Sequence, residues 1–200
     1  MYALIENNEI KKIYNNPRAL NINDTQYPSN IFSLWSASEK EAIGIYEVVF
    51  DNSNKKDEAY YINTNQSFAF ADGVVTASFG TATGKLLEDR NGTDEDGEEL
   101  DPVVVIKGLK TLKKEIIKQQ ASGLLTPTDW YIIKAVDVES YSAPANIVTY
   151  RANVRTASND METIIDNASD VDALAALYEY TEQEDGSHTR PLGEFPTLEV

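Results

Sequence analysis

One histidine and no cysteine set narrow limits on the chemistry of this chain. His188 lies in Asp185-Gly186-Ser187-His188, a polar, turn-like stretch, and reads as a surface histidine rather than the base of a triad. Two-histidine and thiolate metal sites, a zinc metalloprotease motif and disulfides are excluded. The acidic run from Asp89 to Asp101 invites a calcium reading. With Gly97 at the sixth position of an EF-hand loop, Asp96 and Asp94 take the fifth and third, but Gly92 occupies the first and Val103 the twelfth. The ligand set is broken at both ends, so a solvated loop is expected. Gly80-Thr-Ala-Thr-Gly84-Lys85 is one residue short of a phosphate loop, and Leu86 stands where a hydroxyl would bind magnesium. Carboxylate pairs are too frequent in so acidic a chain to mark a glycosidase. No catalytic residue, cofactor-binding residue or metal ligand is expected. The aromatic pairs Tyr60-Tyr61, Trp130-Tyr131 and Tyr178-x-Tyr180 suit core or interface packing, or the lining of a sugar groove.

Charge narrows the partners. Thirty-three acidic against seventeen basic residues give a formal charge of −16, which repels phosphate backbones and anionic lipid. Nucleic acid is not an expected partner. The charge serves solubility, or forms an acidic face for a basic partner. No run approaches the roughly 18 apolar residues of a membrane span, so no membrane insertion is expected. MYALIENNEIKKIYNN has no apolar stretch behind a basic start, and no secretory signal is expected.

The elements that would position any site divide by pattern into an α+β arrangement. Residues 1–84 read as a β-rich domain. Tyr2–Ile5 and Glu9–Tyr14 flank Asn7-Asn8, a hairpin signal, and 15–33 reads as irregular connection. A short helix over Ser36–Ile43 ends at Gly44, and Ile45–Asp51 follows as a strand. Ala59–Asn63, Ser67–Ala71 and Val74–Phe79, the last two joined by Asp72-Gly73, read as a three-stranded meander. Residues 85–101 read as an acidic linker or loop.

Residues 102–181 read as a helical hairpin or bundle. Asp101-Pro102 predicts a helix start with proline at its first position, and Val105, Leu109, Leu112 and Ile116 form one apolar stripe. Gly123 predicts its end. Thr126-Pro127-Thr128-Asp129 predicts a capped restart carrying Trp130, Ile133 and Val136 or Asp137. A third helix from about Ala143-Pro144 has Ile147, Tyr150, Val154, Ala157, Met161, Ile164 and Ala168 at 3-4 spacing. That stripe serves an intramolecular helical hairpin or a coiled-coil oligomer seam. Asp170 predicts the cap of a last short helix, and 182–200 reads as an extended tail.

The stretch Leu109–Thr156 resembles bacteriophage tail-fibre and tail-fibre-assembly proteins. Its pieces are the lysine-rich Leu109–Gln120, then Thr128-Asp129-Trp130-Tyr131, a gap at Ala143-Pro144, and Tyr150-Arg151-Ala-Asn-Val-Arg155. The N-terminal MYALIENNEIKKIYNN also resembles the opening β-segments of small phage structural proteins. The resemblance implies a non-enzymatic virion structural protein of the tail, baseplate or fibre. Its implied partners are other phage tail or fibre proteins and further copies of itself, a trimer being common in fibrous phage proteins. It would be assembled in the host cytoplasm and located in the virion. A tail-fibre assembly chaperone and a carbohydrate-binding receptor module are the alternatives. Trp130, Tyr131, Tyr150, Arg151 and Arg155 are the expected protein-interaction residues, with Trp130 anchoring a helix contact that Tyr150 faces.

Overall fold

The computed structural model describes residues 1–198. The chain divides into two compact units, Met1–Thr83 and a second beginning at Gly84. The architecture is α+β, with a curled sheet in the first unit and the long helices in the second.

In the first unit β1 (Tyr2–Glu6) pairs antiparallel with β2 (Glu9–Tyr14). Asn7 and Asn8 both take positive φ, 53° and 64°, which lets two residues reverse the chain with the twist a hairpin needs. The stretch expected to be irregular holds a second hairpin, β3 (Leu20–Ile22) and β4 (Thr25–Tyr27), turned by Asn23 and Asp24 at positive φ. Two short helices follow, α1 (Ile31–Leu34) and α2 (Ala37–Glu41). Ser36 and Glu39 close a full capping box on α2. Gly44 then turns at φ 82°, so close to β1 that a Cβ would lie 2.6 Å from the Ile5 carbonyl oxygen.

Next come β5 (Ile45–Asp51), the short β6 (Tyr61–Ile62), β7 (Ser67–Ala71) and β8 (Val74–Ser78). The main sheet runs β2-β1-β5-β8-β7. The expected β7–β8 hairpin forms around Asp72-Gly73, but β8 pairs in parallel with β5, and β6 lies outside this sheet, so the three strands do not form a meander. β2 returns to touch β7, which curls the sheet around Ala3, Ile5, Val48, Val75 and Ala77. Leu4 and Ile45 point to the other face, where β3 and α1 cover them with Leu20, Ile22, Ile31 and Phe32. The strand β1 is therefore buried on both sides, which accounts for its unbroken apolar run Ala3-Leu4-Ile5.

β9 (Thr83–Gly84) leads to the second unit, where β10 (Arg90–Asn91) pairs with β11 (Val105–Ile106). Much of the acidic stretch expected as a linker or loop lies between these two strands, as the loop of an ordered hairpin. Asp94 accepts the backbone N–H groups of Asp96 and Glu98, and Gly97 makes the turn at φ 88°. Helix α3 (Leu109–Leu125) starts seven residues later than Asp101-Pro102 predicts. Its first N–H groups bond to a distant segment. Gly108 donates to the Asp89 carboxylate at 2.7 Å, and Leu109 and Lys110 donate to the carbonyls of Leu86 and Leu87. This approach needs glycine, since a Cβ on Gly108 would sit 2.4 Å from the Glu88 carbonyl carbon.

α3 runs through Gly123 into a 3₁₀ turn, Thr126–Thr128, and α4 (Asp129–Asp137) continues from it. α5 (Ala145–Asp166) is one helix, and it packs along α3. Its buried set is Ile147, Tyr150, Arg151, Val154, Ser158, Met161 and Ile165. Ser158 and Ile165 replace the expected Ala157 and Ile164. Positions 147/154/161 and 151/158/165 each keep seven-residue spacing, so the 3-4 alternation stands with one of its two rows moved by one residue, onto Arg151. α6 (Val171–Ala176) is capped by Asp170 through the Ala173 N–H. The tail is not free: β12 (Thr181–Glu182) pairs with β13 (His188–Thr189), Leu192 is fully buried, and Phe195 and Leu198 pack against the cluster of Ala121, Tyr150 and Val154. The expected tail also includes residues 199–200, which lie outside the described residues.

Candidate interaction surface

The expected site residues fall on the elbow where α3 turns into α4 and on the face of α5 beside it. Thr126 and Thr128 do not cap α4. Their hydroxyls donate backwards, to the carbonyls of Ser122 and Leu125, at 2.8 and 2.7 Å. The elbow is held instead by Arg151, which is 7% exposed. Its guanidinium donates to the Leu125 carbonyl at 2.8 Å and to the Thr128 hydroxyl, and pairs with the Asp129 carboxylate at 2.7 Å. One planar fork therefore satisfies the end of α3, the 3₁₀ turn and the start of α4.

Trp130 is not the helix-packing anchor the sequence suggests. It is 50% exposed and stacks on its neighbour Tyr131, with ring centroids 3.8 Å apart. Tyr150 is buried elsewhere, with Ala121 and Val154, against Leu124 and Leu125. Nor does the stripe Val105/Leu109/Leu112/Ile116 form the seam. Leu109 is buried, but Val105, Leu112 and Ile116 are exposed. The residues of α3 that are buried are Leu109, Lys110, Ile117 and Ala121.

Lysine is central to this seam. Lys110, Lys114 and Lys118 stand one turn apart on α3 and meet the last turns of α5. Lys118 pairs with Glu162 at 3.1 Å and Lys114 with Asp166 at 2.6 Å. Lys110 donates to the Asp166 carbonyl at 2.8 Å and also reaches Glu88. The ammonium groups neutralise the carbonyl-rich end of α5, and the Asp166 hydrogen bond raises the Lys114 pKa. The signal was present in the sequence as an i, i+4, i+8 lysine series facing an i, i+4 acid pair, Glu162 and Asp166.

α4 is the odd element of this unit. None of its nine residues is buried. Trp130, Ile133 and Val136 recur at three-residue spacing on one side and are all exposed, Val136 by 81%. Lys134 lies over the Tyr141 ring at 4.4 Å and over Trp130 at 5.9 Å, which ties the helix to the segment that follows it. Beside the elbow, between α3 and α5, an open groove of about 490 Å³ is lined by Lys118, Ala121, Leu125, Asp129, Arg155 and Glu162 among others. Arg155 donates one 3.2 Å bond to the Arg151 carbonyl.

Tyr60 and Tyr61 are buried, which removes them from any sugar-binding surface. Among the described residues there is no group of three or more metal-ligating side chains, and no helix long and apolar enough to cross a membrane. No protein-family model, curated protein or solved structure matches the chain.

Proposed function

We propose that this chain is a non-enzymatic structural protein of a bacteriophage tail, baseplate or fibre, and that its second unit makes the assembly contact. The observation that carries the reading is α4: a helix with no buried residue, an exposed Trp130-Ile133-Val136 side, and a base fixed by buried Arg151. Nine residues are too few for an isolated helix to persist in water. A helix that is nonetheless fixed in place with its apolar side outward is suited to be covered by a partner. Large, partly exposed aromatics carry much of the binding energy at such contacts. Thr128, Asp129 and Arg151, which hold this elbow, lie in segments on which the phage resemblance rests.

Purified particles from a lysate would be analysed by quantitative mass spectrometry, with the Trp130→Ala/Ile133→Ser double variant alongside the parent. A virion part is present at stoichiometric copy number, and the variant is depleted from particles while remaining folded. Absence of the parent chain from particles sinks the virion reading. A chain that instead co-purifies with unassembled fibre supports the assembly-chaperone alternative.

A further inference from the structure

We infer that the groove beside Arg155 receives a carboxylate from a protein segment that is otherwise neutral or basic. The inference rests on the assembly reading only in taking the ligand to be a protein. The charges in the groove are unevenly matched. Asp129 is engaged by Arg151 and Glu162 by Lys118. Arg155 is engaged by one backbone carbonyl at 3.2 Å, which leaves most of its five N–H donors and its whole charge without a carboxylate. Lys118, Arg151 and Arg155 against Asp129 and Glu162 leave one positive charge in the groove of a chain whose overall charge is −16.

A guanidinium fork matches a carboxylate with two parallel hydrogen bonds. Arg155 sits one turn after Arg151 on α5, so the buried clamp that fixes the elbow also fixes the helix carrying the fork. Ala121 and Leu125 give the groove an apolar floor for the methylenes of an entering side chain. The overall negative charge selects the context of that side chain. A strongly acidic segment is repelled before it arrives, whereas a single carboxylate flanked by lysines is drawn in. The groove thus reads one charge of a sign opposite to the one its surroundings attract.

The test uses the isotope-labelled full chain and the Nε–Hε signals of its five arginines in NMR spectra. The probe is acetyl-Lys-Ala-Glu-Ala-Lys-amide, and the control carries Gln for Glu. The Arg155 signal is expected to shift saturably with the Glu peptide and to stay in place with the Gln peptide. Arg155→Lys, which keeps the charge but loses the fork, should weaken binding about tenfold, and Arg155→Gln should abolish it. Equal responses to the two peptides, or a stronger response to inorganic phosphate than to the Glu peptide, overturn the inference. No phage component enters this titration, so its failure and the failure of the particle experiment are separable.

Discussion

Replacing Arg151 by Met tests the central claim about the elbow, because Met keeps the stem and removes only the fork. Three partners lose their donor: the Leu125 carbonyl, the Thr128 hydroxyl and the Asp129 carboxylate. Their costs differ. The Thr128 side chain belongs to a residue 3% exposed, and water cannot replace the lost donor there. An orphaned buried acceptor costs about 1–3 kcal/mol. The Leu125 carbonyl still accepts the Thr128 hydroxyl at 2.7 Å, so its loss is near the lower end of that range. Asp129 is about half exposed and can be rehydrated, so its ion pair contributes at most about 1 kcal/mol. The expected destabilisation is about 2–4 kcal/mol, and it should leave the first unit untouched. Urea unfolding followed by Trp130 fluorescence, in a Trp35→Phe background, reads the second unit selectively. The midpoint should fall with little change in slope. In a double-mutant cycle, Arg151 should couple more strongly to Thr128 than to Asp129. A variant within about 0.5 kcal/mol of the parent refutes the clamp. So does a cycle in which Asp129 carries the coupling.

Three other outcomes follow from the second unit. Gly108→Ala forces a methyl to within 2.4 Å of the Glu88 backbone, and should cost about 1–3 kcal/mol in thermal or chemical unfolding. Asp89 is held below the usual carboxylate pKa first by the Gly108 N–H and then by the Thr111 hydroxyl. A depressed pKa adds stability that is fully present above the unfolded value of about 3.9 and is lost as pH falls through the folded one. Asp89→Asn should therefore flatten acid unfolding in that window, and an unchanged acid limb counts against the tertiary cap. Ile165→Ala, at a fully buried position between α5 and its neighbours, should cost about 2–5 kcal/mol, while Ile164→Ala should cost much less. Equal losses from the two would return the seam to the expected row through Ile164.

The first unit was legible where local chemistry decides. Asn7-Asn8 and Asp72-Gly73 tolerate the positive φ their turns adopt, and the runs flanking them pair as expected. Asn23-Asp24 carried the same signal, but its three-residue strands were too short to read from alternation, and the hairpin was missed. The parallel pairing of β5 with β8 depends on contacts between residues far apart in sequence, which no local pattern encodes. The helical unit misled for a different reason. Asp101-Pro102 is a sound local helix start, yet α3 begins where Asp89, Leu86 and Leu87 can meet its first N–H groups. Leu112 and Ile116 look like core, but α3 turns Lys110 toward the end of α5 because that end supplies acceptors. Apolar periodicity misassigns the face of a helix whose seam includes paired lysines. Of the site residues, Tyr150 and Arg151 lie where side chains converge, but both are spent inside the unit. Trp130 is left half-exposed with the half-buried Tyr131 stacked on it, and Arg155 lines the groove.

That division bears on why Arg151 is buried at all. Replacing Arg151 alone strands its partners, but replacing the guanidinium and its polar partners together by apolar side chains costs little net stability, since desolvation offsets most of the attraction. An apolar residue at 151 would fill the space without fixing the direction in which α4 leaves α3. The fork instead bonds three consecutive structural features, and so sets the angle at which Trp130, Ile133 and Val136 are presented. On the proposed reading, this geometry is what an assembly contact requires. A helix already ordered loses less entropy when a partner covers it than one that must fold on contact. The Arg151→Met/Trp130→Ala pair then separates two roles within one elbow. Arg151→Met should lower stability and weaken particle incorporation together, because a mobile α4 is a poorer contact. Trp130→Ala, at a half-exposed position, should change stability by less than about 1 kcal/mol while still depleting the chain from particles. If Trp130→Ala instead destabilises the unit as strongly as Arg151→Met, the tryptophan belongs to the fold, and the case for α4 as the contact falls.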